Sequence, residues 1–380
     1  MSITLIATTT FGLEAVVKRE VQKLGFDKIQ VYDGRVEIEG EYSDIPKLNI
    51  NLRCAERLLL KFGEFKATTF DELFEKTKAL AWEDLLPENA SFPVEGRSHK
   101  SKLFSISDSQ AIVKKAIVER LKGTYKKDWF EEEGPRYRIE VSLLKDIATL
   151  TVDTSGDALH KRGYRDRAGD APLKETLAAA MINLSFWNPD RTLYDPFCGS
   201  GTILIEAAMI GKNIPPGIDR DFDAQYWEVV GEDLFKEERR KGMNGIRHDV
   251  DMELLGSDID KRSILRARDN ATNIGVNDDI QVFMKDMREV DLIDNYGVMI
   301  TNPPYGERMG ELEEVERLYR DLGHKMKDFK TWSLYLLTSY EKFEKLYGKK
   351  ADRKRKLYNG RIKVDYYQFY GPRPPKDWRK

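Results

Sequence analysis

The sequence predicts an α/β protein in which small mixed units precede a mostly parallel, doubly wound sheet, and three observations predict it. Thr192-Leu193-Tyr194-Asp195-Pro196-Phe197-Cys198-Gly199-Ser200-Gly201-Thr202 runs into the apolar stretch Ile203 to Ile210, which reads as strand, glycine loop and helix. Two short runs, Met252 to Leu255 and Ile280 to Met284, lead into acids and a turn or helix. A further run, Tyr296 to Ile300, leads into Asn302-Pro303-Pro304-Tyr305. Strand patterns alternating with helical ones imply parallel pairing through βαβ units.

From the start of the chain, a strand is expected at Ser2 to Thr10, a helix from Leu13 to Leu24, and two strands around the turn Asp33-Gly34. A helix at Ser43 to Leu52 and a strand at Arg57 to Glu64 complete a split βαβ sandwich of ferredoxin type, residues 1–66. The second unit, residues 67–156, has helices near Phe70 to Leu80 and Asp108 to Leu121. Its strands lie near Phe92 to Gly96, Arg136 to Leu143 and Ile147 to Thr154. Ser155-Gly156-Asp157 and Ala168-Gly169-Asp170 are hinge-grade loops, making 157–170 a linker. The remainder, 171–380, opens with a helix at Lys174 to Leu184. Residues 212–250 lengthen the link between the glycine-loop helix and the next strand by about a helical hairpin. Asn359-Gly360 signals a two-residue hairpin between Lys354 to Leu357 and Arg361 to Tyr370, closing an antiparallel edge.

A chain of 380 residues with 41% apolar content can bury more than one core. It holds no run of about 20 apolar residues, and Met1-Ser2-Ile3-Thr4 carries no charged leader, so no membrane partner and a cytoplasmic location are expected. Two cysteines, Cys54 and Cys198, and four histidines support neither a disulfide framework nor a metal site. Net charge is −2, which by itself speaks against nucleic acid, but its distribution speaks for it. Arg97 to Lys127 carries nine bases and two acids, and Lys342 to Lys380 fourteen bases and four acids. Such runs are often solvated faces. Arg97, His99, Lys100 and Lys102, however, stand directly before the basic helical segment Asp108 to Lys122 and suit a polyanion.

The chemistry concentrates in the second half. Gly199 and Gly201 allow positive φ and close backbone approach, and the helix behind them favours an anionic group. The phosphate-loop ending Gly-Lys-Ser/Thr and the three-glycine dinucleotide pattern are both missing. Asp258, followed by Ile259, can accept both hydroxyl hydrogens of a ribose, while Asp260 better suits a helix cap. Asp286, followed by Met287, can accept from an adenine amine. In Asn302-Pro303-Pro304-Tyr305 the prolines stiffen the backbone. The Asn302 oxygen and a nearby main-chain carbonyl can accept both hydrogens of an exocyclic NH2, with Tyr305 offering a ring for stacking. Adenine, guanine and cytosine all fit that description, and such a string alone can also be a plain turn. Arg162 and Arg165 flank Tyr164, a spacing that serves either to clamp RNA at the pocket entrance or to stiffen the linker.

Taken in order, these motifs resemble the S-adenosylmethionine-dependent amino-methyltransferases. With the ferredoxin-like start, Val94 to Leu103, Leu159 to Arg165, Ala171 to Ala179 and Tyr358 to Arg361, essentially the whole chain resembles the THUMP-containing RNA methyltransferases. It resembles the single-site bacterial form, which is similar to the amino-terminal methyltransferase half of the fused large-subunit rRNA guanine-N2 enzyme. The resemblance implies a Rossmann-like class I methyltransferase domain with a seven-stranded, mostly parallel sheet, preceded by ferredoxin-like and THUMP α+β domains. It implies S-adenosyl-L-methionine as cofactor, held by Asp195, Pro196, Phe197, Cys198, Gly199, Ser200, Gly201, Thr202, Asp258, Ile259, Asp286 and Met287. The family pattern also sets Glu175 and Thr176 beside the cofactor's amino-acid end, with a helix-start charge pair as the plain alternative. The implied reaction is methyl transfer at Asn302 to Tyr305 onto guanine N2 of 23S rRNA. Transfer to tRNA guanine N2 or DNA adenine N6, and a non-catalytic RNA-binding assembly role, are the alternatives.

Overall fold

The computed structural model describes residues 2–165, 173–291, 295–306 and 312–378. The contacts divide it into two compact units: Met1–Thr9, Val17–Leu159 and Arg220–Lys241 form one, and Thr10–Val16, His160–Asp219 and Gly242–Lys380 the other. The last five residues of the expected linker, 166–170, lie outside the described residues.

The amino-terminal part contains β1 (Ile3–Thr8), α1 (Glu14–Lys23), β2 (Ile29–Tyr32), β3 (Arg35–Gly40), α2 (Ile45–Asn51), β4 (Arg57–Lys66), α3 (Phe70–Lys78), β5 (Val94–His99), α4 (Ile106–Tyr125), β6 (Arg138–Leu144) and β7 (Ile147–Asp153). The order β4-β1-β3-β2, all antiparallel, is the ferredoxin-like arrangement. The two expected modules are nevertheless one sheet. β4 runs antiparallel to β7 from Leu59↔Asp153 to Lys66↔Ile147, which gives seven strands in the order β2-β3-β1-β4-β7-β6-β5. Local sequence sets the ends of its helices. Thr69 and Ser105 cap α3 and α4 by accepting from Glu72 N and Asp108 N, and Lys126 in the left-handed region ends α4. β5 extends past Gly96 to His99 at the sheet edge, so Arg97 and His99 are strand residues.

The later elements are α5 (Glu175–Asn183), β8 (Leu193–Asp195), α6 (Thr202–Gly211), α7 (Glu232–Asn244), β9 (Leu254–Asp258), α8 (Lys261–Asn273), β10 (Ile280–Met284), β11 (Val298–Thr301), α9 (Leu312–Lys325), β12 (Ser333–Thr338), α10 (Phe343–Tyr347), β13 (Arg353–Asn359) and β14 (Ile362–Phe369). Their sheet has the order β10-β9-β8-β11-β12-β14-β13. The first five strands are mutually parallel, and β14 is antiparallel to both neighbours. The apolar runs lie in its core, where Tyr194, Met299, Leu334, Leu336 and Tyr367 cluster.

Two expectations change in detail. The two-residue turn is Gly360-Arg361, because Asn359 still pairs with Ile362 and Gly360 takes the positive φ of 62°. The lengthened connection holds a short 3-10 turn, Asp223–Tyr226, and one α-helix, α7, rather than a helical hairpin, and contributes Arg220–Lys241 to the first unit. There Trp227 stacks on Tyr137 at 4.7 Å and donates from Nε1 to the Arg136 carbonyl. Arg220 donates to the carbonyls of Asp157 and Ala158.

Candidate active site

Strand order brings four chain segments to one edge of the second sheet. β10, β9, β8 and β11 are neighbours in parallel register, with Met284 opposite Asp258 and Asp195 opposite Gly256, so their carboxyl ends align. The connections reverse direction between β8 and β11, the place where such sheets bind ligands. Pro196 to Gly201 forms a tight loop there. Cys198 N donates to the Ser257 carbonyl at 3.0 Å, Gly201 N to the Cys198 carbonyl at 2.8 Å, and Gly199 N to Asp258 Oδ2 at 3.0 Å. Gly199 and Gly201 have φ of +52° and +79°, and a Cβ on Gly201 would stand 3.0 Å from Ala267 Cβ. Asn270 on α8 donates to the Ser200 carbonyl, and Ser200 Oγ lies 3.3 Å from Thr202 Oγ1 at the start of α6. The loop is thus held open by its backbone and pinned from behind.

Asp195 is buried. Its Oδ1 accepts from Thr301 Oγ1 at 2.7 Å and from Phe197 N at 3.1 Å. Burial pushes its pKa up to about 7, with the nearby charge of Asp258 adding to the rise. Asp258 is partly exposed at the end of β9, its oxygens accepting from Gly199 N and Asp260 N. Asp260 caps α8, accepting from Arg262 N and Ser263 N. Ile259 presents 73% of its surface to solvent, an unusual exposure for a large apolar side chain and a ready face for an aromatic ring. Asp286 accepts from Arg288 N at 2.9 Å and pairs with the Arg288 guanidinium at 2.8 Å, so only its remaining lone pairs are open. The Met287 side chain is buried in the hydrophobic core.

Glu175 and Thr176 begin α5 and are buried. Glu175 pairs with Arg165 at 3.2 Å. Burial raises its pKa, and the Arg165 charge opposes that rise. Its second oxygen, Oε2, is buried with no hydrogen-bond partner. An unsatisfied carboxylate oxygen, an open glycine loop, a ribose-type acid and an exposed apolar face form a donor and acceptor set that fits the aminoacyl, sugar and base parts of S-adenosylmethionine.

The linker reading replaces the RNA clamp for Arg162 and Tyr164. Arg162 is buried and meets Glu206 of α6 through Nε at 3.2 Å and Nη2 at 3.5 Å. Tyr164 is 1% exposed, so no base can stack on it. Arg165 donates to Thr202 Oγ1 and, at 2.9 Å, to the Leu173 carbonyl, which turns it towards the glycine loop. Glu206 had a legible signal, being the lone acid within the apolar helix Ile203 to Ile210.

Asn302 follows β11 directly, with Pro303 buried and Pro304 exposed. The motif is braced on three sides. Thr301 donates to Asp195, the Tyr305 hydroxyl donates to Asn302 Oδ1, and the Tyr319 hydroxyl donates to the Pro304 carbonyl at 2.9 Å while lying 2.8 Å from Thr338 Oγ1. Tyr305 therefore does more than offer a ring. Thr301 and Tyr319 were not singled out from the sequence; Thr301 is marked only as a polar residue ending an apolar strand.

In the first unit, Arg97, His99, Lys100 and Lys102 are exposed. Arg97 pairs with Glu140 at 2.9 Å, and Lys102 N donates to Asp146. Among the described residues no group of His, Cys, Asp and Glu is arranged to hold a metal ion, and no helix is long and apolar enough to cross a membrane.

The family described as RMKL-like, methyltransferase domain, matches residues 162–368, which is more than half of the chain. The chain belongs to this methyltransferase family. An RlmL ferredoxin-like domain matches residues 4–59 and a THUMP domain residues 67–153. YpsC of Bacillus subtilis (strain 168), named "putative RNA methyltransferase", is 51% identical over 377 residues, 98% of this chain and 97% of that protein. A Listeria monocytogenes protein described as a "predicted N6-adenine-specific DNA methylase" is 50% identical with a TM-score of 0.94, covering 98% of this chain and 97% of that one. SMU.472, described as a "putative methyltransferase complexed with SAH", is 45% identical with a TM-score of 0.93, over 98% and 99%. This methyltransferase therefore carries its methyltransferase domain behind an RlmL ferredoxin-like domain and a THUMP domain.

Proposed function

We propose that the enzyme methylates the exocyclic N2 amine of a guanine in 23S rRNA. The observation that carries this reading is the position of Asn302 to Tyr305, one strand away from the glycine loop and tied to it through Thr301 and Asp195. The match to an RlmL ferredoxin-like domain and the exposed basic segment Arg97 to Lys102 support rRNA as the substrate.

In this reading Glu175, Thr176, the loop Asp195 to Thr202, Asp258, Ile259, Asp286 and Met287 hold the cofactor. When bound, S-adenosylmethionine supplies an electrophilic methyl group on a sulfonium. Asn302 Oδ1 keeps a lone pair beyond the one engaged by Tyr305. With the Pro303 carbonyl, it accepts the two hydrogens of the guanine amine and favours localising the nitrogen lone pair towards the methyl group. The base is presented unpaired, and Tyr305 lies beside it. Catalysis comes from orientation, for which gains of roughly 7–11 kcal/mol are available. Proton loss can follow transfer, so no strong base is needed. Burial raises the Cys198 thiol pKa, which keeps it protonated and unsuited to nucleophilic attack.

The test incubates the protein and radiolabelled cofactor separately with protein-free 23S rRNA, 16S rRNA, tRNA and DNA from a strain lacking the enzyme, then identifies the labelled nucleoside. N2-methylguanosine in 23S rRNA is expected. The same nucleoside in tRNA would move the substrate to tRNA, and N6-methyladenine in DNA would replace the reading altogether.

A further inference from the structure

The hairpin of β13 and β14 rises above the edge of the second sheet that carries Asn302. Thr301 stands level with Leu336 on β12, Leu336 with Tyr367 on β14, and Tyr367 with Lys354 on β13. β12 leaves the ladder at Thr338, opposite Asp365, while β13 and β14 stay paired for three further rungs, to Asn359↔Ile362. At about 3.3 Å per residue the tip stands roughly 13 Å beyond the level of Asn302, and two strand spacings, roughly 10 Å, to its side. Lys356, Arg361 and Lys363 belong to this tip, with no acid between them in the chain. All three are exposed and none has an ion-pair partner among the described residues, whereas Lys354, lower on β13, is paired with Asp365 at 3.4 Å. Lys356, Tyr358 and Lys363 share one face of the ribbon, because side chains alternate along each strand and Tyr358 pairs with Lys363.

An aromatic ring lies open beside these cations. Phe11 belongs to Thr10–Val16, which is part of the second unit, and 51% of its surface is in solvent. Its segment is set against β13: a Cβ on the neighbouring Gly12 would stand 2.7 Å from the Lys356 carbonyl oxygen. Phe11 meets Tyr358 with ring centroids 6.3 Å apart and planes at 80°, and Lys356 Nζ lies 5.6 Å from the Tyr358 centroid. The exposed ring is thus fixed by a second ring and by backbone, with cations on the strand that fixes it. Bases on aromatic rings and phosphates on cations are how single strands are held without sequence readout. We propose that Phe11 and the β13–β14 tip form a platform for the RNA strand beside the methylated nucleotide, with an unpaired neighbouring base stacked on Phe11 and phosphates on Lys356, Arg361 and Lys363. The platform gives a role to part of the basic carboxyl-terminal segment, which methyl transfer itself leaves unused. It rests on RNA being the substrate, and its test has a readout that does not need methyl transfer.

The full-length protein, saturated with S-adenosylhomocysteine, is titrated into a fluorescein-labelled single-stranded decaribonucleotide at several salt concentrations, following anisotropy. Combining Lys356→Gln, Arg361→Gln and Lys363→Gln should weaken binding at least about tenfold and make the log–log salt slope shallower by about 2, as three contacts to a single strand require. Phe11→Ala should weaken it at least about fivefold, the low end for one stacked base, with the slope unchanged, and Phe11→Trp should restore it. Thermal midpoint and S-adenosylhomocysteine affinity should stay at the wild-type values in all three. In steady-state methylation of the RNA that the wild type modifies, KM should rise several-fold in the Gln variant and in Phe11→Ala at constant kcat. Wild-type affinity and slope in the Gln variant would overturn the platform, and so would an equal fall in S-adenosylhomocysteine affinity, which would make the hairpin a support of the fold. Lost decaribonucleotide binding with an unchanged KM for RNA would also overturn it, since the contact would then lie off the substrate path. The expected losses together with label in a nucleoside other than N2-methylguanosine would support the platform and count against the guanine reading alone.

Discussion

Two side chains at the ends of the central strands, Asp195 and Asn302, each allow a separate test of the proposed chemistry. Asn302 acts on the amine in our reading and has no part in the cofactor loop. Asn302→Ala should therefore lower methyl transfer at least about a hundredfold, the scale of losing one group aimed at a transition state. Cofactor affinity, measured by calorimetry, should stay within a few-fold; a large loss would place Asn302 on the cofactor. Asp195 makes a different demand. Its folded pKa of about 7 lies above the unfolded value near 3.9, so the folded protein holds more protons between those limits. Its contribution is most favourable below pH 4 and is lost progressively as pH rises through 7. Asn at this position can still accept from Thr301 and Phe197 but does not titrate. The melting temperature of Asp195→Asn minus that of the wild type should rise from pH 4 to 7 and then level off. A flat difference would mean that Asp195 is ionised throughout.

At the scale of elements, the β11 end is held by α9, since Tyr319 bridges the Pro304 carbonyl and Thr338. Tyr319→Phe keeps the ring packing and removes only the hydroxyl. A stability loss of about 1 kcal/mol is expected. Turnover should fall about tenfold, because a barrier change of roughly 1.4 kcal/mol is enough for that, and cofactor affinity should be unchanged. Equal loss of turnover and cofactor binding would make Tyr319 a general support of the fold. The division between what the sequence revealed and what it hid follows from range. The glycine loop, the Asp260 cap, and the acids ending β9 and β10 are written in contiguous residues whose backbone needs are local, and they were legible. The β4–β7 ladder joins residues some 90 positions apart, and Trp227 meets Tyr137 across a similar separation. No local pattern encodes either. Arg162 and Tyr164 misled for a related reason: arginine beside tyrosine suits a stacking surface and a buried ion pair equally well, and Glu206 decides between them from another helix. Removing one partner of such a buried pair typically costs about 3–5 kcal/mol, so Arg162 is better understood as part of the architecture behind the cofactor loop.

At the scale of the whole molecule, net charge conceals function. The overall value of −2 coexists with an exposed basic stretch at the edge of the first sheet. A protein combining Arg97→Ala, Lys100→Ala and Lys102→Ala should bind RNA more weakly and show a log–log salt slope shallower by about 2–3, as three phosphate contacts require. An unchanged slope would remove this stretch from the RNA surface. The excursion of Arg220–Lys241 into the first unit bears on how the protein is made. Its sheet is fully synthesised by Asp153, yet Trp227, the partner of Tyr137, emerges only after the glycine loop and α6. Between Leu159 and Trp227 the ribosome needs roughly 3–14 s at about 5–20 residues per second. For that interval Tyr137 lacks its Trp227 partner, and a nascent chain stopped at residue 159 is an amino-terminal unit still missing its last segment.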